Sequence, residues 1–211
     1  MTQDGAAPAG DLDSEELLFL AVRAIDRDDE EGALRLLKRA LALEPRNGVL
    51  HHLLGAVYAQ LGMTLRAISS MTAAVECNPE LIMARFQLGM LHFTDGDPDA
   101  SEAAWQPLDA LPEEHPLRLF RNGLLRMAVG DFAGAQTDLQ TGLELNTEFT
   151  SLSGDMESML ALCAQALGEA EADGETTGAA EAPAAPTGNP ADAAAQHVLL
   201  SGYRGMTETR N

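Results

Sequence analysis

Histidine, cysteine and clustered carboxylates are the residues with which this chain would do chemistry, and their spacing decides whether it does. His51 and His52 are adjacent. Neighbours on a helix point about 100° apart, so the two rings do not form a metal pair. His92 stands alone. Cys77 and Cys163, the two cysteines, have neither metal nor redox spacing and read as buried structural thiols of a reducing compartment. The run DRDDEE, Asp26 to Glu31, spans a turn between helical stretches and reads as a polar loop. There is no HExxH, no GxSxG and no phosphate-binding loop. The expectation is a non-enzyme with no catalytic residue, no metal and no cofactor.

Charge narrows the partners. Thirteen Lys+Arg stand against 33 Asp+Glu, a formal net charge of −20. Such a surface repels nucleic acid and anionic lipid. Lys38 is the one lysine and alanine is abundant, a bias that suggests a GC-rich bacterial genome. The acidic stretch 1–13 lacks the basic segment and apolar run of a secretory signal. No apolar run approaches the ~20 residues of a membrane span. A cytoplasmic protein is expected, with no nucleic acid partner and no membrane insertion.

The elements that position these residues announce themselves by period. Ala33 and Ala67, Ala40 and Ala74, and Pro45 and Pro79 are each 34 residues apart. Gly55, Gly89 and Gly123 step by 34, as do Gly62, Gly96 and Gly130. Two packed helices approach closely only where side chains are short, which places the first glycine family inside helices despite a cost of roughly 1 kcal/mol each. The second family falls where helices end and a left-handed turn is needed. Pro45 and Pro79 stop second helices.

The segment Gly48 to Glu80 resembles the tetratricopeptide-repeat (TPR) consensus, matching at Leu54, Gly55, Tyr58, Ala67, Ala74 and Pro79. Ser14 to Asn47 matches at Ala21, Ala33, Ala40 and Pro45. Ile82 to His115 keeps Leu88, Gly89 and Gly96, with His92 where Tyr is usual and Pro107 inside a second helix that is therefore short or kinked. Pro116 to Phe149 keeps Gly123, Gly130, Ala135 and Leu139 and lacks the terminal Pro. The resemblance implies an all-α solenoid whose common property is binding peptides or proteins.

The expected organisation is an acidic N-terminus (1–13), four repeats (14–47, 48–81, 82–115, 116–149) and a capping helix (150–167). A linker (168–189) and a short apolar tail helix with the chain end (190–211) follow. Met156, Met159, Leu160 and Cys163 recur at helical spacing and suit a cap over the last apolar face. Residues 168–189 hold no aliphatic residue larger than Ala, no aromatic and no basic residue, which predicts an acidic, disordered linker. Beyond it, Val198, Leu199, Leu200 and Tyr203 bring back large apolar groups.

By the family pattern, positions two, five, nine and twelve of each repeat face a concave groove. Here these are Glu15, Leu18, Val22 and Ile25; Val49, His52, Ala56 and Ala59; Met83, Phe86, Met90 and Phe93; and Leu117, Phe120, Leu124 and Met127. Arg85 and Arg121 would add charge at its edge. The Lys, Asn and Arg of the carboxylate-clamp subgroup are missing. Two readings stand: these side chains pack between helices, or they form an exposed apolar surface, which would mark a binding site. On the second reading, Val198, Leu199, Leu200 and Tyr203 dock in the groove, in the same molecule or a partner copy. Tail exchange between copies would make a homodimer.

The functional expectation is a non-catalytic scaffold or adaptor holding an apolar peptide segment of a protein partner. Two alternatives stand beside it. One is a cytoplasmic chaperone for a secretion or surface-appendage substrate, resembling the small TPR chaperones of bacterial secretion systems. The other is a regulatory subunit docking on an enzyme.

Overall fold

The computed structural model describes residues 12–176, with side chains to Glu169. The described residues form helices and turns. These are α1 (Ser14–Ile25), α2 (Glu30–Leu43), α3 (Gly48–Gln60), α4 (Thr64–Cys77), α5 (Ile82–Thr94), α6 (Pro98–Trp105), α7 (Pro116–Ala128), α8 (Phe132–Leu145) and α9 (Ser153–Thr176). Consecutive helices pack as pairs, α1 on α2 through α7 on α8, and α9 lies on α8. This is the all-α, paired-helix architecture expected. The tail residues Val198, Leu199, Leu200 and Tyr203, with the rest of 177–211, lie outside the described residues.

Local chemistry explains where the helices start. Asp13 and Glu16 form a capping box: the Glu16 N–H donates to Asp13 Oδ1 at 2.8 Å and the Asp13 N–H to Glu16 Oε2 at 3.0 Å. Asp29 caps α2 through the Gly32 N–H, and Asn47 caps α3 through the N–H groups of Val49 and Leu50. Asp97 and Asp131 cap α6 and α8 through Ala100 and Gly134. Part of the acidic run Asp26 to Glu31 thus has a structural use: Asp29 takes up a free N–H, and Glu30 and Glu31 sit in the first turn of α2, where negative charge is favoured.

The turns inside the pairs follow the second glycine family. Gly62, Gly96 and Gly130 have φ of 69°, 81° and 80°. Thirty-four residues before Gly62, Asp28 adopts φ 56°, the same left-handed turn without glycine. The first family marks close approach. Gly55, Gly89 and Gly123 face Met71, Trp105 and Leu139, which are themselves 34 apart. Ala33, Ala40, Ala67, Ala74 and Ala135 are wholly buried.

The third pair is the irregular one. Pro107 cannot continue the ladder, so α6 has only eight residues and passes into a 3₁₀ segment, Gln106–Ala110. Trp105 and Leu108 are both wholly buried. The fourth pair lacks its terminal Pro. Thr147 stands at that position, and Asn146 beside it ties the turn: its Nδ2–H donates to the Phe149 carbonyl at 2.8 Å, and its Oδ1 accepts from the Phe149 N–H at 2.9 Å.

At the C-terminal end, a 3₁₀ turn at Thr150–Leu152 leads into α9. Met156, Met159 and Cys163 are buried against the stack and Leu160 is half-buried, the arrangement of a cap. The helix runs to Thr176, so residues 168–176, read from sequence as the start of a disordered linker, are helical. Ala, Glu and Gln are good helix formers, and an Ala/Glu-rich stretch continues a helix that packing has already nucleated.

Candidate protein-interaction surface

The first helices α1, α3, α5 and α7 carry the residues expected to face a groove. Ten of the sixteen positions are instead buried, Ile25, Ala56 and Ala59 among them. Phe86, Leu117, Phe120 and Leu124 are wholly buried, and His52, Met83, Met90 and Arg121 nearly so. The reason is that side chains of neighbouring first helices meet. The rings of Phe86 and Phe120, at the same position of successive repeats, lie 6.4 Å apart, and Phe86 stacks on Trp105 at 6.0 Å. Trp105 also contacts Phe93 at 6.0 Å. Its Nε1–H donates to the Phe86 carbonyl at 2.8 Å. The fifth positions His52, Phe86 and Phe120 are therefore packed away, while Leu18 in the first repeat stays half-buried.

Glu15 is exposed, and five apolar residues of the sixteen keep solvent-facing surface: Leu18, Val22, Val49, Phe93 and Met127 are half-buried and rest on the core. They occupy positions two, five, nine and twelve on the first helices. What the first helices leave uncovered at these positions is a thinner set of aliphatic and aromatic groups.

The polar residues serve the stack. His52 Nε2 and Gln87 Oε1 are 2.5 Å apart, joining α3 to α5 inside the core. Burial lowers the His52 pKa to about 4, with the hydrogen bond to Gln87 opposing that shift. The ring is therefore neutral, and its Nε2–H is the donor to the amide oxygen. Arg121, expected at the groove edge, is held by Asp109 and ties α7 to the 3₁₀ segment. Arg85 Nε–H donates to the Pro79 carbonyl at 3.0 Å. His51 Nε2–H donates to the Pro45 carbonyl at 2.9 Å. His115 caps α7, accepting from the Leu117 N–H, and its pKa is lowered chiefly by desolvation. Lys38 and Arg66 both lie 5.7 Å from the centre of the Tyr58 ring.

Cys163 is buried and its thiol pKa is raised by that burial, which makes it inert; Cys77, expected to be buried, is partly exposed. Among the described residues no group of three or more His, Cys, Asp or Glu side chains could hold a metal ion. No helix among them is long and apolar enough to cross a membrane. Sequence reasoning missed Trp105 and Leu108, the residues that rebuild the third pair. A signal for Trp105 was present, because Leu37, Met71, Trp105 and Leu139 step by 34.

No protein-family model matches the chain. No curated protein matches it either. Solved structures do. MamA from Desulfovibrio magneticus RS-1, from residue 41 to its end, is 16% identical and has a TM-score of 0.54; the match covers 79% of this chain and 97% of that one. A crystal structure of MamA protein is 20% identical with the same TM-score of 0.54, covering 81% of this chain and 98% of the other. Identities this low speak for the fold alone. The 34-residue spacing, the helix pairs and the likeness to MamA, a TPR-repeat protein, agree: the chain has the fold of a TPR solenoid.

Proposed function

We propose that this chain is a non-catalytic scaffold that holds an apolar segment of a protein partner against its first helices. One observation supports the reading: the row of half-buried apolar groups Leu18, Val22, Val49, Phe93 and Met127, carried on a rigid stack. Side chains of this kind are already fixed by the core beneath them, so a partner would pay little ordering entropy on the scaffold side. Phe93 and Met127 suit an adaptable apolar contact. An extended or helical segment with apolar groups on one face has the matching chemistry.

The test compares the unaltered chain with a Val22→Asp/Val49→Asp/Met127→Glu variant, used as baits in the native cell by in-cell cross-linking. Circular dichroism and denaturation midpoints show whether the variant keeps its fold. A partner that is captured by the unaltered chain and lost from a folded variant supports the reading. A partner held equally by both moves the binding site elsewhere.

A further inference from the structure

The N-terminal end of the stack has an open face, and the repeat itself shows what that face is for. Phe19 and Leu20 are the sixth and seventh residues of the first repeat, and they are 62% and 39% exposed. The same positions in the second repeat, Leu53 and Leu54, are 0% and 7% exposed. In the third, Gln87 and Leu88 are 0% and 6%. In those repeats the second helix of the preceding pair packs on the first helix, α2 on α3 and α4 on α5. No helix precedes α1 among the described residues to do the same. Helix α1 is buried on its other side through Leu17, Ala21 and Ala24, so it carries apolar groups on two faces, the pattern of a helix meant to be covered all round. Leu12, Glu16, Phe19 and Leu20 line a shallow depression there. A solenoid covers its apolar ends with caps, and α9 does this at the other end only.

We propose that the chain's own C-terminal segment, Val198 to Met206, covers this outer face of α1 in the same molecule. The reading is separate from the partner surface above, because it uses a different side of α1 and no residue of that row. Three facts choose the occupant. Outside the described residues, the large apolar side chains are Met1 alone before α1, and Val198, Leu199, Leu200, Tyr203 and Met206 after α9. Charge is complementary: Glu15 and Glu16 flank the depression, while residues 197–206 include Arg204 and no carboxylate. Reach is sufficient. Twenty-one residues separate Thr176 from Val198 and span up to ~70 Å when extended. The tail leaves from α9, one repeat beyond α7, and at about 10 Å per helix step the way back to α1 is on the order of 40 Å across the stack.

A photo-crosslinking residue, p-benzoylphenylalanine, placed at Phe19 of the full chain tests this. Phe19 is largely exposed, so the replacement leaves the core intact. The expected result is a cross-link to residues 198–206 at monomer mass. Its yield falls about tenfold in a Leu199→Asp/Leu200→Asp variant, whose changes lie outside the repeats and remove the apolar groups that drive docking. A cross-link to a second copy, to residues 1–11 or to nothing overturns the proposal, as does a cross-link indifferent to the tail substitutions.

Discussion

Gly89 and Trp105 share one space: a Cβ on Gly89 would overlap the indole that lies against α5. The indole cannot withdraw cheaply. It stacks on Phe86, lies tilted against Phe93, and its N–H donates to the Phe86 carbonyl. Gly89→Ala combines overpacking, of order 1–3 kcal/mol, with the loss of a buried hydrogen bond, about 1 kcal/mol. A loss of about 2–4 kcal/mol in urea denaturation is expected. Gly154, which has open space around it in α9, provides the contrast. Gly154→Ala should be neutral or stabilising by ~0.5 kcal/mol. Equal effects at the two sites would remove the close-approach explanation of the glycine period.

The other glycine family predicts a different signature. A Cβ on Gly62 meets nothing within 4 Å, and φ is +69°, so only backbone strain opposes a side chain. Gly62→Ala should cost about 1–2 kcal/mol. Gly62→Asn should cost less, because Asn tolerates the left-handed region. Asp28, with φ 56° at the equivalent place in the first repeat, shows that a short polar side chain is accepted there. Similar losses for Ala and Asn would mean that space, not conformation, selects glycine at this turn.

How much of this was legible follows from what periodicity encodes. The helix pairs and the turns could be read because a 34-residue period repeats the same packing problem, and small residues solve it each time. The choice between burial and an open surface for Phe86, Phe120, Leu117 and Leu124 could not. Position five faces a groove only if successive first helices stand apart, and their separation is set by three-dimensional packing across repeats. The His52–Gln87 pair, 35 residues apart, crosses a repeat boundary off the 34-residue register, so no spacing argument finds it. The continuation of α9 to Thr176 was hidden by composition, since an Ala/Glu-rich stretch serves a helix as readily as a linker.

Protonation of His52 makes stability depend on pH in a defined window. The ordinary pKa is 6.5 and the folded value is about 4. Between these values the unfolded chain binds the extra proton and the folded chain does not, so stability falls as pH drops from 6.5 towards 4 and this residue's contribution levels off below that. The difference corresponds to about 3 kcal/mol across the window. Replacing both residues, His52→Leu with Gln87→Leu, removes the imidazole and its amide partner together. The difference in unfolding free energy between the two proteins should grow by roughly 3 kcal/mol from pH 7 to pH 4 in favour of the double variant. Carboxylates titrate in both and cancel. Parallel pH profiles would show that His52 is protonated in the folded chain over the same range as in the unfolded one.

Phe120 and Met127, two turns apart on α7, separate core from contact surface. Phe120 is wholly buried against Phe86 and beside Gly142. Phe120→Ala opens a cavity and should lose about 3–5 kcal/mol. Met127 is half-buried and rests on the core by one side. Met127→Ala removes only part of a buried group and should lose about 1 kcal/mol. In binding the order reverses. At a temperature where both variants remain folded, Phe120→Ala should hold a partner nearly as well as the unaltered chain, because its side chain offers no surface. Met127→Ala should weaken binding about tenfold, or ~1.4 kcal/mol, the size of a central apolar contact. Calorimetric titration of each folded variant with a captured partner measures both. If the loss of affinity tracks the loss of stability instead, the row through Val22, Val49, Phe93 and Met127 is part of the core and the partner binds on another face.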